Sequence, residues 1–155
     1  KAERQLIGVY EKRWVEQVAK ALARLGAEKA MVIHSAEGLD EISLKGVTHA
    51  AIVENGGVSF TEIAPAGLGL SATPRENLIA KDVADAARIF KEIFETNTDL
   101  GPHREIVALN AAAALVVADA ATDMKHGLHL AMQAIESGKA KETLESLMRL
   151  SHENA

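Results

Sequence analysis

The chain alternates short apolar runs with amphipathic stripes before it becomes helical throughout. Leu6-Ile7-Gly8-Val9-Tyr10 is a five-residue apolar run after charged residues, and its length and β-branching predict a buried strand. Trp14, Val15, Val18, Leu22 and Leu25 then recur at three- and four-residue steps, one face of a helix from about Glu11 to Leu25, with Gly26 as its stop. Ala30-Met31-Val32-Ile33-His34 reads as a second strand. Strand, helix and strand within about thirty residues form a βαβ unit, so these two strands should be parallel. Two further strands are predicted at Thr48–Val53 and Val58–Ile63, with Asn55-Gly56-Gly57 between them as a hairpin turn.

Pro65, Gly67, Gly69 and Pro74 make the next stretch irregular. From Asp82 the period becomes helical, with Val83, Ala86, Ala87, Phe90, Ile93 and Phe94 on one stripe. Gly101-Pro102 interrupts that pattern. The segment from Ile106 to Val117, with its run of four alanines, predicts a helix buried nearly all round. Met124–Ser137 and Ala140–Leu150 predict two more helices, and Ser151–Ala155 a frayed tail. Met124, Met132 and Met148 fall at helical spacing and are read as core. The fold class is α/β: a mixed sheet flanked by helices, with few strands for its helix content.

Composition narrows the function classes. Seventeen basic against twenty-two acidic residues give a net charge of −5, which argues against a nucleic-acid groove. The absence of cysteine removes disulfides, thiolate metal sites and cysteine nucleophiles. No apolar run reaches the ~18 residues that span a bilayer, so no membrane partner is expected.

The loop Ser35–Ser43 follows the second strand, at the strand end where open α/β sheets gather ligands. Within it, the adjacent carboxylates Asp40 and Glu41 can bend toward one hard cation; Mg²⁺ takes one or two protein carboxylates and shares substrate phosphate oxygens. A solvated acidic turn is the other reading. His34, at the strand end, either orients this loop, acts as acid or base, or is structural. His126 and His129, at i and i+3, are a metal pair or a solvated helix face. Asn110, before the alanine run, reads as a hydrogen-bonded packing residue. Gly67-Leu68-Gly69 lacks the third glycine of a dinucleotide fingerprint, and no P-loop, nucleophile elbow or H-E-x-x-H is present.

Several segments, in order, resemble anthranilate phosphoribosyltransferase: Gln5-Leu6-Ile7-Gly8-Val9-Tyr10, Val32-Ile33-His34, Gly38-Leu39-Asp40-Glu41-Ile42-Ser43, Gly101-Pro102-His103-Arg104 and Leu109-Asn110-Ala111-Ala112-Ala113-Ala114-Leu115. The resemblance implies a Mg²⁺-dependent glycosyltransferase that moves phosphoribose from phosphoribosyl diphosphate to anthranilate in tryptophan biosynthesis. It implies a nucleoside-phosphorylase-like phosphoribosyltransferase domain, a cytoplasmic location and a homodimer. On the family's motif, Asp40 and Glu41 fall on the metal-binding pair.

The family's Gly-Thr-Gly-Gly-Asp loop, Lys-His-Gly-Asn segment and anthranilate-contacting arginine have no counterpart here. Residues 1–155 are therefore expected to be the C-terminal portion of the α/β domain, without the N-terminal helical domain and the phosphate-loop half. Alone, this stretch is expected to be inactive; no catalytic residue is assigned in it and no substrate-binding residue is expected. Ser35 stands for a usual glycine, Ala80-Lys81-Asp82 for a usual Gly-Gly-Asp turn, and Ala86 for a usual asparagine. The alternatives are a pyrimidine nucleoside phosphorylase or related phosphoribosyltransferase, a non-catalytic nucleic-acid-binding paralogue, and a partner-binding module using an uncovered Ile106–Val117 helix.

Overall fold

The computed structural model describes residues 2–95 and 101–153. Four strands form one mixed sheet in the order β1-β2-β3-β4: β1 (Arg4–Gly8), β2 (Lys29–Ser35), β3 (Thr48–Glu54) and β4 (Gly57–Ile63). β1 and β2 are parallel, joined through α1 (Arg13–Arg24), as the βαβ pattern predicts. β2–β3 and β3–β4 are antiparallel. The β3–β4 hairpin turns on Asn55 and Gly56, both at positive φ (51° and 74°), which a type I′ turn requires. The first strand begins two residues earlier than the apolar run suggests. Arg4 pairs with Lys29 in the ladder, whereas Tyr10 lies beyond it and is exposed.

Alternation along the strands splits the core in two. Ala30 and Val32 of β2 and Ala51 and Val53 of β3 face α1, meeting Val15, Ala19 and Leu22. Met31, Ile33, Ala50 and Ile63 face the other way, against Leu109, Ala113 and Val117 of α3 (Gly101–Val117). The α1 helix ends in a Schellman motif: Gly26 at φ 73°, with the Ala27 N–H donating to Leu22 O at 3.0 Å.

Gly101-Pro102 starts α3 rather than only breaking a pattern, because the first turn needs no internal N–H donors and tolerates proline. This helix is covered by the sheet on one side and by α4 (Met124–Glu136) on another, leaving a narrow exposed stripe at Val107 and Ala114. The uncovered patch on which a partner-binding module would depend is therefore not found there. A Cβ on Gly127 of α4 would lie 2.8 Å from Ala112 O, so glycine is what lets these helices approach.

The stretch between β4 and α2 (Val83–Ile93) contains two short 3₁₀ turns, Pro65–Leu68 and Arg75–Leu78. Asp82 caps α2 by accepting from the Asp85 N–H at 2.8 Å. Arg104 donates to Ile93 O (3.1 Å) and Glu95 O (2.7 Å), tying the end of α2 to the first turn of α3. α5 (Lys139–Glu153) carries exposed Leu147, Met148 and Leu150, so Met148 is not a core methionine, while Met124 and Met132 pack against the core. α5 also runs through Ser151 to Glu153; the rest of the expected frayed tail, Asn154 and Ala155, lies outside the described residues.

The opposite end of the sheet is fixed by charge. Asp119, at φ 56°, occupies the left-handed position after α3 and accepts from Lys29 at 2.6 Å and from Arg4, which also donates to Val117 O. The Lys29 and Arg4 donors together hold the Asp119 carboxyl below the usual carboxylate range. A depressed folded-state value contributes stability that is complete above the ordinary carboxylate range and is lost as pH falls through it.

Two outcomes follow from this packing. Gly127→Ala should destabilise by about 1–3 kcal/mol in urea unfolding, while Gly67→Ala, with open space around it, should stay near neutral. Asp119→Asn should flatten the acid side of a pH–stability profile and leave a smaller change with pH than the parent shows.

Candidate functional site

The loop from Ala36 to Val47 crosses the C-terminal ends of β1 and β2, and its backbone is pinned at several points. At its start, the Leu39 N–H donates to Ser35 Oγ and the Ser35 N–H to Leu39 O, both at 3.0 Å. Gly38, at φ 80°, makes the tight reversal between them. In the middle, the loop lies directly on β1: a Cβ on Gly8 would fall 1.5 Å from Asp40 O. Only glycine permits that approach.

Beyond Asp40, Asn110 of α3 holds Ile42 at both backbone groups. Its Oδ1 accepts from the Ile42 N–H at 2.9 Å and its Nδ2 donates to Ile42 O at 2.9 Å. A second Nδ2 bond reaches Ile106 O at 3.0 Å. The packing reading of Asn110 thus holds in a specific form: this amide links the apolar helix to the loop. Ile42, Ser43 and Leu44 are buried, and Ser43 and Lys45 are closed onto each other through the Ser43 hydroxyl.

The two carboxylates stand out against this fixed backbone. Asp40 and Glu41 are exposed, and among the described residues neither side chain has a hydrogen-bond or ion-pair partner. Glu37, on the same loop, leaves Oε2 buried without a partner. Among the described residues no group of three or more histidine or acidic side chains is placed to hold a metal ion by itself. A cation at Asp40 and Glu41 would complete its shell with water or with oxygens of a substrate, as a hard ion does.

His34 turns away from the acidic pair. Its Nδ1 lies 2.8 Å from Val9 O, so it fixes the exit of β1. His49, opposite it on β3, pairs through Nδ1 with Glu62 of β4 at 3.0 Å. His126 and His129 are both exposed, and His126 Nδ1 accepts from the Thr122 N–H at 3.3 Å, so His126 is bound to its own helix start. Gly67-Leu68-Gly69 forms the end of a 3₁₀ turn and opens no helix.

The family profile described as "Glycosyl transferase family, a/b domain" matches residues 1–141. The chain belongs to the glycosyl transferase family, in its α/β domain. Curated relatives within the family include anthranilate phosphoribosyltransferases of Rhodospirillum rubrum, 44% identical over 146 residues, and Rhodopseudomonas palustris, 40% identical over 149 residues. These matches cover 94% and 96% of this chain but only 42% and 44% of the relatives, so the chain spans less than half their length.

Solved structures agree on the fold. The anthranilate phosphoribosyltransferase of Thermus thermophilus superposes with a TM-score of 0.80 at 29% identity, covering 90% of this chain and 40% of that one. The Saccharomyces cerevisiae enzyme in complex with PRPP and Mg gives 0.81 at 25% identity, covering 92% and 41%.

Sequence reasoning found the acidic pair and the end of the strand beside it. It missed that Gly8, Ser35 and Thr48 serve the same loop, the last through its hydroxyl 3.4 Å from the Ser43 N–H. A glycine inside an apolar strand run was the available signal for close backbone approach. Asn110→Ala should cost about 2–3 kcal/mol, because it leaves both Ile42 backbone groups unpaired. Hydrogen exchange should accelerate at Leu39–Leu44 far more than in α5.

Proposed function

We propose that this chain provides the metal–diphosphate part of an anthranilate phosphoribosyltransferase, an enzyme of tryptophan biosynthesis. One observation carries the reading: among the described residues Asp40 and Glu41 are free of partners while the backbone beneath them is fastened to β1 and α3. An acidic pair in a merely solvated turn needs no such anchoring. The hard oxygen donors, their exposure and their lack of competing cations fit Mg²⁺.

In this reading Asp40 and Glu41 bind and orient the metal–diphosphate end of phosphoribosyl diphosphate. When bound, Mg²⁺ supplies Lewis-acid stabilisation to the charge that gathers on the leaving diphosphate. The displacement at the anomeric carbon passes through an oxocarbenium-like transition state, as in related glycosyl chemistry. The amino group of anthranilate is already nucleophilic, so this chain needs no covalent nucleophile and contributes by positioning. Gly8 and Asn110 are positioning residues: they set the depth of the Asp40 backbone and the path of Ile42.

The same reading makes residues 1–155 the C-terminal portion of the α/β domain. Contacts to the sugar phosphate and to anthranilate then come from the part of the relatives that this chain does not match, and the chain alone is inactive. A cytoplasmic location and a homodimeric assembly follow from the resemblance. Among the described residues no helix is long and apolar enough to cross a membrane.

A chimera tests the reading. This segment, grafted in place of its counterpart in the Rhodopseudomonas palustris enzyme, should support anthranilate consumption with phosphoribosyl diphosphate. Glu41→Ala in the chimera should then lower kcat by about tenfold or more and change the anthranilate KM by less than about threefold. Unchanged turnover at limiting Mg²⁺ would remove the metal role from Glu41.

A further inference from the structure

A pair of histidines lies at the base of the same loop, on the α1 face of the sheet. His34 and His49 are register partners across β2 and β3. The Ala36 N–H donates to Val47 O, which makes 36–47 a hydrogen-bonded pair, and two steps along so is His34–His49. Their Cα atoms are then about 5.5 Å apart with both side chains on one face.

Each ring is fixed by its outer nitrogen. Val9 O and the Glu62 carboxylate can only accept, so the proton sits on Nδ1 of both histidines. In the neutral rings Nε2 therefore carries the lone pair. The anchors lie on opposite sides: Val9 follows β1, beyond β2, while Glu62 is on β4, beyond β3. In imidazole, Nε2 lies on the edge away from Nδ1. With the Nδ1 edges anchored on opposite sides, the Nε2 edges are on the inner sides of the two rings.

Neither Nε2 has a hydrogen-bond partner among the described residues. Neither is sealed in: among the described residues the buried unpaired side-chain atoms are Trp14 Nε1, Glu37 Oε2 and His103 Nε2. A cleft of about 330 Å³, lined by Lys12, Glu16, His49, Phe60 and Glu62, opens beside His49. The pattern of Nδ1–H donated to a carbonyl or carboxylate, with Nε2 left open, is the arrangement that prepares histidines as metal ligands.

We propose that His34 and His49 form a two-nitrogen site for a borderline divalent transition ion such as Zn²⁺ or Ni²⁺. Imidazole nitrogens select such ions, whereas the oxygens of Asp40 and Glu41 select hard ones, so the two sites differ in chemistry. The bound ion joins the end of β2 to the start of β3 on either side of the Ala36–Val47 loop and closes its base, with water filling the remaining positions. The inference stands on the sheet register and the ring anchors, independently of the proposed reaction.

The test is calorimetric titration of the tag-free chain with ZnCl₂, with far-UV circular dichroism of every variant. Saturable binding of one equivalent is expected, weakened about tenfold or more by His34→Ala and by His49→Gln. Glu62→Ala, which removes only the ring anchor, should weaken it less. His126→Ala should leave it unchanged. Long-range ¹H–¹⁵N spectra should show both Nε2 resonances moving with added Zn²⁺. If His34→Ala fails to fold, His49→Gln alone decides. Absence of saturable binding, or binding that survives His49→Gln, would overturn the proposal.

Discussion

The contact on which the candidate site depends is a backbone one. The carbonyl of Asp40 sits so close to Gly8 that no side chain fits between them. This sets the depth of the acidic loop over the sheet, and everything else about the loop is arranged around it. Asn110 then fixes the next buried residue, Ile42, at both its N–H and its C=O. The consequence is an anchored platform carrying two carboxylates that have no partners of their own among the described residues. An anchored acidic couple at a strand end suits the proposed cation, which would bridge it to an anionic substrate.

The platform is also where the two halves of the core meet. β1 and β2 bury one face against α1 and the other against α3, and α3 delivers Asn110 from the second face to the loop. The helix must be apolar to lie between the sheet and α4, yet it carries one amide at the position that reaches Ile42. Gly127 lets α4 close onto α3 and so holds that helix against the sheet. At the far end, Asp119 joins the C-terminus of α3 to Arg4 and Lys29 at the starts of β1 and β2. The middle of α3 is thus tied to the loop and its C-terminal end to the strands that position the site.

Much of this was legible in the sequence, for identifiable reasons. The strands announced themselves by β-branched apolar runs, the hairpin by Asn55-Gly56, and the helices by their stripes or caps. The Asp40-Glu41 pair was visible because acidic neighbours after a buried strand are chemically distinctive. Long-range pairings stayed hidden: Asn110 with Ile42 spans 68 residues, and His34 with His49 depends on strand register. Pro102 misled because proline both breaks and starts helices, and only the residues after it tell the two apart. Met148 misled because helical spacing does not reveal whether a helix has a cover, and α5 exposes that side.

Asp40 and Glu41 are proposed as the cation-holding pair of this domain. Paramagnetic broadening by Mn²⁺, a hard-ion substitute for Mg²⁺, in ¹H–¹⁵N spectra of the chain is the decisive measurement. Broadening centred on Leu39–Ile42 is expected, and it should disappear in Asp40→Asn/Glu41→Gln while the rest of the spectrum is retained. Broadening centred elsewhere, or the same broadening at Leu39–Ile42 in the double variant, would contradict it.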